Sequence, residues 1–185
     1  GLHDETAKAI SNTMRNVFGL TGVFVWAFAS TCNVMVSNLM GQNREDKVLE
    51  AINKIMLLSI GFCLAICMLV NIFRSAVFGL FGQGDAFVQQ GIPVLRVVSV
   101  GLMFMSIANI WLNGVTGTAK TKVNLMIEIV AISIYLFYTW YFIKVNFISL
   151  AMAWSNEFIY WTAIFLMSFF YLRSGKWKTK KEYIT

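Results

Sequence analysis

IMLLSIGFCLAICMLVNIF, residues 55–73, holds no charged side chain and no proline. As a helix rising 1.5 Å per residue it covers about 28 Å, close to the hydrocarbon thickness of a bilayer. A strand of a membrane barrel would alternate apolar and polar residues. Here Leu57, Leu58, Ile60, Cys63, Leu64 and Leu69 fall on both parities, so the run reads as a helix that is apolar all round. Four further charge-free runs lie at 16–43, 97–119, 129–143 and 158–172. The last two reach the length of a span only if Glu128 and Glu157 are taken in, which places both acids at membrane depth. The expected architecture is all-α, a polytopic bundle of five transmembrane helices over 6–39, 43–73, 85–114, 121–144 and 147–172. Residues 1–172 form the bundle and 173–185 a basic tail.

Composition agrees with that reading. Of the 185 residues 58% are apolar and 13% charged, with a mean hydropathy of +0.67, so charge is about half that of a soluble domain. Disorder, collagen, coiled coil and a disulfide scaffold are excluded. Cys32, Cys63 and Cys67 all sit in apolar stretches and show no zinc-ligand spacing. The chain opens Gly1-Leu2-His3-Asp4, without an initiator methionine or a secretory leader, and reads as a piece of a longer protein.

Local signals refine the helices. The first span is longer than a bilayer requires; Ala7, Ile10, Met14 and Val17 give its start one apolar side, which suggests projection into the headgroups or a bend near Gly19 and Gly22. Asn43 is placed to cap the second helix, with Glu45 and Asp46 in its first turn. Asp85 opens the third helix, and Pro93 permits a kink there. Arg44, Lys47, Lys120, Lys122 and the tail residues Arg173, Lys176, Lys178, Lys180 and Lys181 fall on one side, against Lys8, Arg74 and Lys144 on the other. By the positive-inside rule the first set is cytoplasmic. The net charge of +6 is thus topogenic and lipid-directed rather than a nucleic-acid surface. Trp177 and Tyr183 in the tail read as interfacial anchors.

Enzymatic signals are poor. His3 is the only histidine, so a histidine metal site or catalytic triad within the core has no material. The segment 114–121 has the outline of a phosphate loop, but Ala119 stands where that motif requires glycine, and a tight turn is the better reading. Intramembrane polar groups are more telling, because burying them in hydrocarbon is costly. Glu128 lies about two turns from the cytoplasmic end of the fourth helix, and Glu157 near the middle of the fifth; each could take a proton or coordinate a monovalent cation. Arg96 can snorkel to the outer interface. Ser30, Asn33 and Ser37 form a stripe on the first helix, and Ser106, Asn109 and Asn113 another on the third. Such stripes either join helices or line a water-filled cavity.

Residues 24–42, FVWAFASTCNVMVSNLMGQ, followed by the short charged loop 43–47, resemble a polar helix and turn of the multidrug and toxic compound extrusion (MATE) transporters. Asn113-Gly-Val-Thr-Gly117-Thr-Ala-Lys-Thr-Lys122 is similar to that family's Arg-Gly-x-Gly-Asp-Thr-Arg hairpin, with Thr116 replacing its arginine and Ala119 near its aspartate. The resemblance implies a parent of twelve helices in two lobes, of which this chain supplies helices eight to twelve and lacks the N-terminal lobe. It implies antiport of cationic or aromatic small molecules against protons or sodium ions, with no cofactor, in the bacterial inner membrane. Many sodium-coupled members carry an acid in the helix matching 97–115; this chain has none, with Met105 or Ser106 near that place. The coupling role therefore moves to Glu128 and Glu157, with Asn33, Ser37, Asn109 and Asn113 expected to line the cavity. The alternatives are a flippase for lipid-linked sugars, which would want more basic groups in its cavity, and a non-transporting assembly subunit, in which the acids only join helices.

Overall fold

The structure, a computed structural model, describes residues 2–79, 84–141 and 154–178. Among these the elements are α1 (Leu2–Gly41), a 3-10 turn (Glu45–Lys47), α2 (Val48–Ile72), α3 (Arg74–Gly79), α4 (Gly84–Gly117), α5 (Thr121–Tyr138) and α6 (Asn156–Arg173), with no strand. The protein is an all-α polytopic bundle. Four helices are long and apolar enough to cross a membrane, within 7–41, 45–72, 87–117 and 121–141. The fifth predicted span is shorter than expected: α6 has 18 residues, and Asn156, Glu157 and Arg173 dilute its apolar character. The remainder of that span, 147–153, lies outside the described residues, as does Lys144.

Helix α4 is the hub, touching every other helix. Two apolar clusters sit along it. One joins Val36, Ile52, Ile110, Trp111, Val115, Ile164 and Leu172 from four helices. The other joins Ile10, Met14, Cys63, Phe78, Phe87, Leu95 and Leu102. The second cluster explains the excess length of α1. Ile10 and Met14 are buried in this cluster, so the apolar side of the amphipathic start is a packing face. Cys63 and Cys67 are buried in the same cluster as small packing groups.

Several polar side chains are paired across helices, as a medium without water favours, while Ser168 Oγ is buried with no partner among the described residues. Ser59 and Ser106 join α2 to α4 at 2.8 Å. Asn71 Nδ2 donates to Ser99 Oγ at 2.9 Å, two to three turns further along. Trp111 Nε1 of α4 donates to Met56 Sδ of α2 at 3.1 Å.

The ends of the helices correct two expectations. Asn43 does not cap α2; it takes a left-handed conformation (φ 56°) and closes α1 instead. Arg44 N donates to Leu39 O at 2.9 Å and Asn43 N to Met40 O at 3.1 Å, the paired bonds of a Schellman ending. Asparagine tolerates left-handed φ better than most residues, so it was spent on the end of one helix rather than the start of the next. Trp177 is not an interfacial anchor. It is 1% exposed, packs in the first apolar cluster, and its Nε1 donates to Leu172 O at 2.7 Å, satisfying a carbonyl at the end of α6. Gly175, with φ 69°, supplies the reversal that brings it there. Tyr183 lies outside the described residues.

Ala119 also has positive φ, 61°, in the turn joining α4 to α5. Its Cβ makes that conformation costly, by roughly 1–2 kcal/mol. Ala119→Gly is therefore expected to raise stability by about 1 kcal/mol after glycine's larger unfolding entropy is set against the relief. Thermal unfolding in mild detergent checks this, and a destabilised variant would mean that the turn does not hold residue 119 in the left-handed region.

Candidate ion and substrate site

The polar stripe of α1 is largely occupied with α4. Ser37 Oγ lies 3.2 Å from Gly117 O and 3.4 Å from Asn33 Oδ1. The backbone comes equally close: a Cβ built on Gly117 would lie 2.8 Å from Asn33 O and 2.7 Å from Val36 Cβ. Gly114 makes the same accommodation for α2 and α6, since its Cβ would stand 2.6 Å from Ile52 Cδ1 and 3.4 Å from Leu172 Cδ1. The glycines of the 113–122 hairpin thus let α4 nest among three other helices. These contacts gather the end of α1, the starts of α2 and α5 and the ends of α4 and α6 at one end of the bundle. Arg44, Lys47, Lys120, Lys122, Arg173, Lys176 and Lys178 all sit there.

On α4, Asn109 is buried and Asn113 half-buried; Asn113 Nδ2 donates to both Asn109 Oδ1 and Asn109 O at 2.9 Å. One turn further, Thr116 Oγ1 lies 3.0 Å from Asn124 Oδ1 of α5, and Asn124 Nδ2 donates to Glu128 Oε1 at 2.9 Å. Glu128 is therefore tied to α4 through Thr116 and Asn124. The i, i+4 spacing of Asn124 and Glu128 was visible in the sequence; the tie to Thr116 required the α4–α5 turn to bring two helix ends together.

Glu157 lies in the first turn of α6, not in the middle of its helix. The expected mid-helix position assumed a span reaching back to 147, whereas Ser155 precedes α6 as its N-cap residue. The positive end of the helix dipole favours a carboxylate at that place. Its Oε2 accepts from Trp161 Nε1 at 2.9 Å, and its Cβ stands 3.6 Å from the position a Cβ of Gly101 would take on α4.

Between α5 and α6 opens a cleft of about 400 Å³ lined by Ile132, Tyr135, Leu136, Glu157, Tyr160 and Trp161. Three of its walls are aromatic. Tyr135 and Tyr160 meet edge to face at 5.8 Å, and Tyr160 and Trp161 at 4.8 Å. Aromatic faces around a carboxylate attract cations, by the ring quadrupole and by charge together. Tyr135, Tyr160 and Trp161 were not singled out from sequence. The available signal was the spacing of Glu157, Tyr160 and Trp161 on consecutive turns of one helix.

The two acids occupy different depths. Tyr135 against Tyr160, and Tyr138 within 3.2 Å of Ser155, fix an antiparallel register that sets Glu157 level with the Tyr138 turn. Glu128 is ten residues back along α5, about 15 Å of helix rise. Glu128 and Glu157 thus lie at separate levels along one helix pair.

The four polar residues Asn33, Ser37, Asn109 and Asn113 lie on the α1 and α4 side, apart from this cleft. Among the described residues no group of three or more His, Cys, Asp or Glu could hold a metal ion.

No curated protein and no solved structure matches the chain. A family model described as MatE matches residues 6–141, from the start of α1 through α5, a stretch that includes both resemblance segments and Glu128. With that match over most of a multi-pass helical bundle, the chain belongs to the MatE family of membrane transporters.

Proposed function

We propose that the protein is a secondary antiporter that exports cationic or aromatic small molecules in exchange for protons or sodium ions. The observation that carries this reading is the Glu157 carboxylate within the aromatic cleft of Tyr135, Tyr160 and Trp161. A flat monocation gains from ring faces and from the carboxylate at once, whereas a neutral sugar or an anion gains from neither. Glu128, held by Asn124 nearer the basic end, is the second station for the coupling ion. Asn33, Ser37, Asn109 and Asn113 are proposed to face the cavity in the open state of the transporter, where their present interhelical bonds would be exchanged for water or substrate. A second lobe of the kind the family resemblance implies would supply the opposing wall, and alternation between lobes would expose the site to each side in turn. The setting is the bacterial inner membrane, with the basic tail cytoplasmic. A flippase of anionic lipid-linked sugars is disfavoured because the cleft lining holds a carboxylate and no lysine or arginine.

The test is efflux of a fluorescent cationic dye from proteoliposomes containing the full-length protein. Dye movement is expected only when a proton or sodium gradient is imposed, and collapse of that gradient should stop it. Dye movement unaffected by either gradient would reject coupled antiport, and no movement of cationic dyes under any gradient would reject the substrate class.

A further inference from the structure

We propose that the groove between α1 and α2 binds one anionic phospholipid. Its phosphate would be held by Arg44, Lys47 and Lys54, and its acyl chains would lie along the two helices. At the basic end of the bundle this groove widens to a cavity of about 330 Å³. Arg44, Lys47, Glu50 and Lys54 form its rim, and Met35, Leu39 and Ala51 its floor. Glu50 Oε2 lies 3.2 Å from Lys47 Nζ and Glu50 Oε1 2.8 Å from Lys54 Nζ, so two lysines flank one carboxylate, and with Arg44 the rim keeps a charge of +2. Glu45 and Asp46, in the same turn, are not among its walls.

The one carboxylate at the rim leaves an excess of positive charge beside the apolar helix faces. Cations at the start of α2 oppose its dipole. Lys54 lies about two turns into a helix whose next residues on the outer side, Leu57 and Leu58, are 65% and 64% exposed toward what must be lipid. A lysine there reaches back along the helix toward the interface, and its head is 71% exposed where it meets Glu50.

The rest of the groove is apolar. On α1, Leu20, Phe24, Phe28, Met35 and Leu39 recur at helical spacing, and on α2 Ala51, Leu58, Phe62 and Ile66 do the same. Phe62 bridges the two helices, 5.1 Å from Phe24 and 5.9 Å from Phe28. Beyond these rings lies a second, separate cavity of about 400 Å³ lined almost wholly by carbon, among others from Leu20, Phe24, Phe62 and Val70. A ligand complementary to this surface is anionic at the basic end and apolar beyond it. That describes a phospholipid of the leaflet at that end, whereas inorganic phosphate would leave the apolar walls unused.

The experiment uses the protein purified whole in neutral detergent and stripped of lipid, with binding followed by native mass spectrometry and thermal unfolding. Phosphatidylglycerol is expected to bind about 30-fold more tightly than phosphatidylcholine, from roughly tenfold or less for each of the two net charges. Arg44→Gln/Lys54→Gln should remove that preference, Arg44→Gln alone should reduce it without disturbing the Lys54–Glu50 pair, and Lys120→Gln/Lys122→Gln at the neighbouring turn should leave it intact. Equal binding of the two lipids would overturn the proposal. So would a preference that survives the double substitution, loss of the same size in the Lys120/Lys122 variant, or equal stabilisation by inorganic phosphate, which would mean a simple anion site.

Discussion

Glu157→Gln is expected to reduce gradient-driven export of a cationic dye by on the order of 100-fold while leaving the fold intact. Glutamine is nearly isosteric and keeps an oxygen that can accept from Trp161 Nε1, so the 2.9 Å bond that positions the side chain can persist. What is lost is the negative charge and the ability to exchange a proton. A unit charge about 5 Å from a bound cation contributes roughly 3 kcal/mol at an effective dielectric constant of 20, which is a factor of about 100. Glu157→Asp should retain coupling with weaker binding, because the charge stays but recedes from the rings. Trp161→Phe offers a second reading of the same site: it removes the indole donor while keeping an aromatic wall, so dye binding should fall less than in Glu157→Gln. Dye equilibrium binding, transport under an imposed gradient and the unfolding temperature should be measured together. Wild-type transport by Glu157→Gln, in protein that unfolds at the wild-type temperature, would remove Glu157 from the mechanism.

The largest effect on stability is expected at Gly117. An added methyl there would stand 2.7 Å from Val36 Cβ and 2.8 Å from the Asn33 carbonyl oxygen, closer than carbon atoms are found. One of those neighbours is backbone and the other a Cβ fixed to it, so no side-chain rotation can relieve the clash; α1 and α4 must separate. Overpacking of this kind costs roughly 1–3 kcal/mol for Gly117→Ala, and Gly117→Val should exceed that range. Separation would also break the Ser37 Oγ to Gly117 O bond, worth about 1 kcal/mol. Gly114→Ala should be milder, because its nearest neighbour is the terminal Cδ1 of Ile52, which can move. Gly61, in mid-α2 with nothing within 4 Å of an added Cβ, provides the opposite sign: Gly61→Ala should stabilise by about 0.5–1 kcal/mol. Thermal unfolding of the three alanine variants in one detergent orders them. A Gly117→Ala protein as stable as Gly61→Ala would mean that the two helices do not meet at this point.

These two sites differ in how far the sequence announced them. Glu157 was marked by being an acid among apolar residues. Its surroundings were not, because Tyr135 belongs to another helix, and only the antiparallel register of α5 and α6 brings the ring across. Gly117 was noticed as part of a hairpin motif, but a glycine in a turn has many uses. Here its purpose is a close approach between helices separated by some eighty residues of chain.

Helical class, the presence of several long apolar segments and the charge asymmetry between the ends were determined by the sequence alone, whereas of the five spans it suggested four are, among the described residues, helices long and apolar enough to cross a membrane. Those three features depend on composition and on distances along one chain segment, which hydrophobicity and helix geometry translate directly into structure. Only the tertiary structure decided where helix partners meet. It turned the polar stripes of α1 and α4 toward bonds between and within helices, buried Trp177 under the bundle and gave Asn43 to the end of α1. It also set Glu128 and Glu157 at different levels, by a register that the paired rings of α5 and α6 impose. Each of these outcomes depends on the competition among several helices for the same contact, and a linear pattern carries no record of which partner wins.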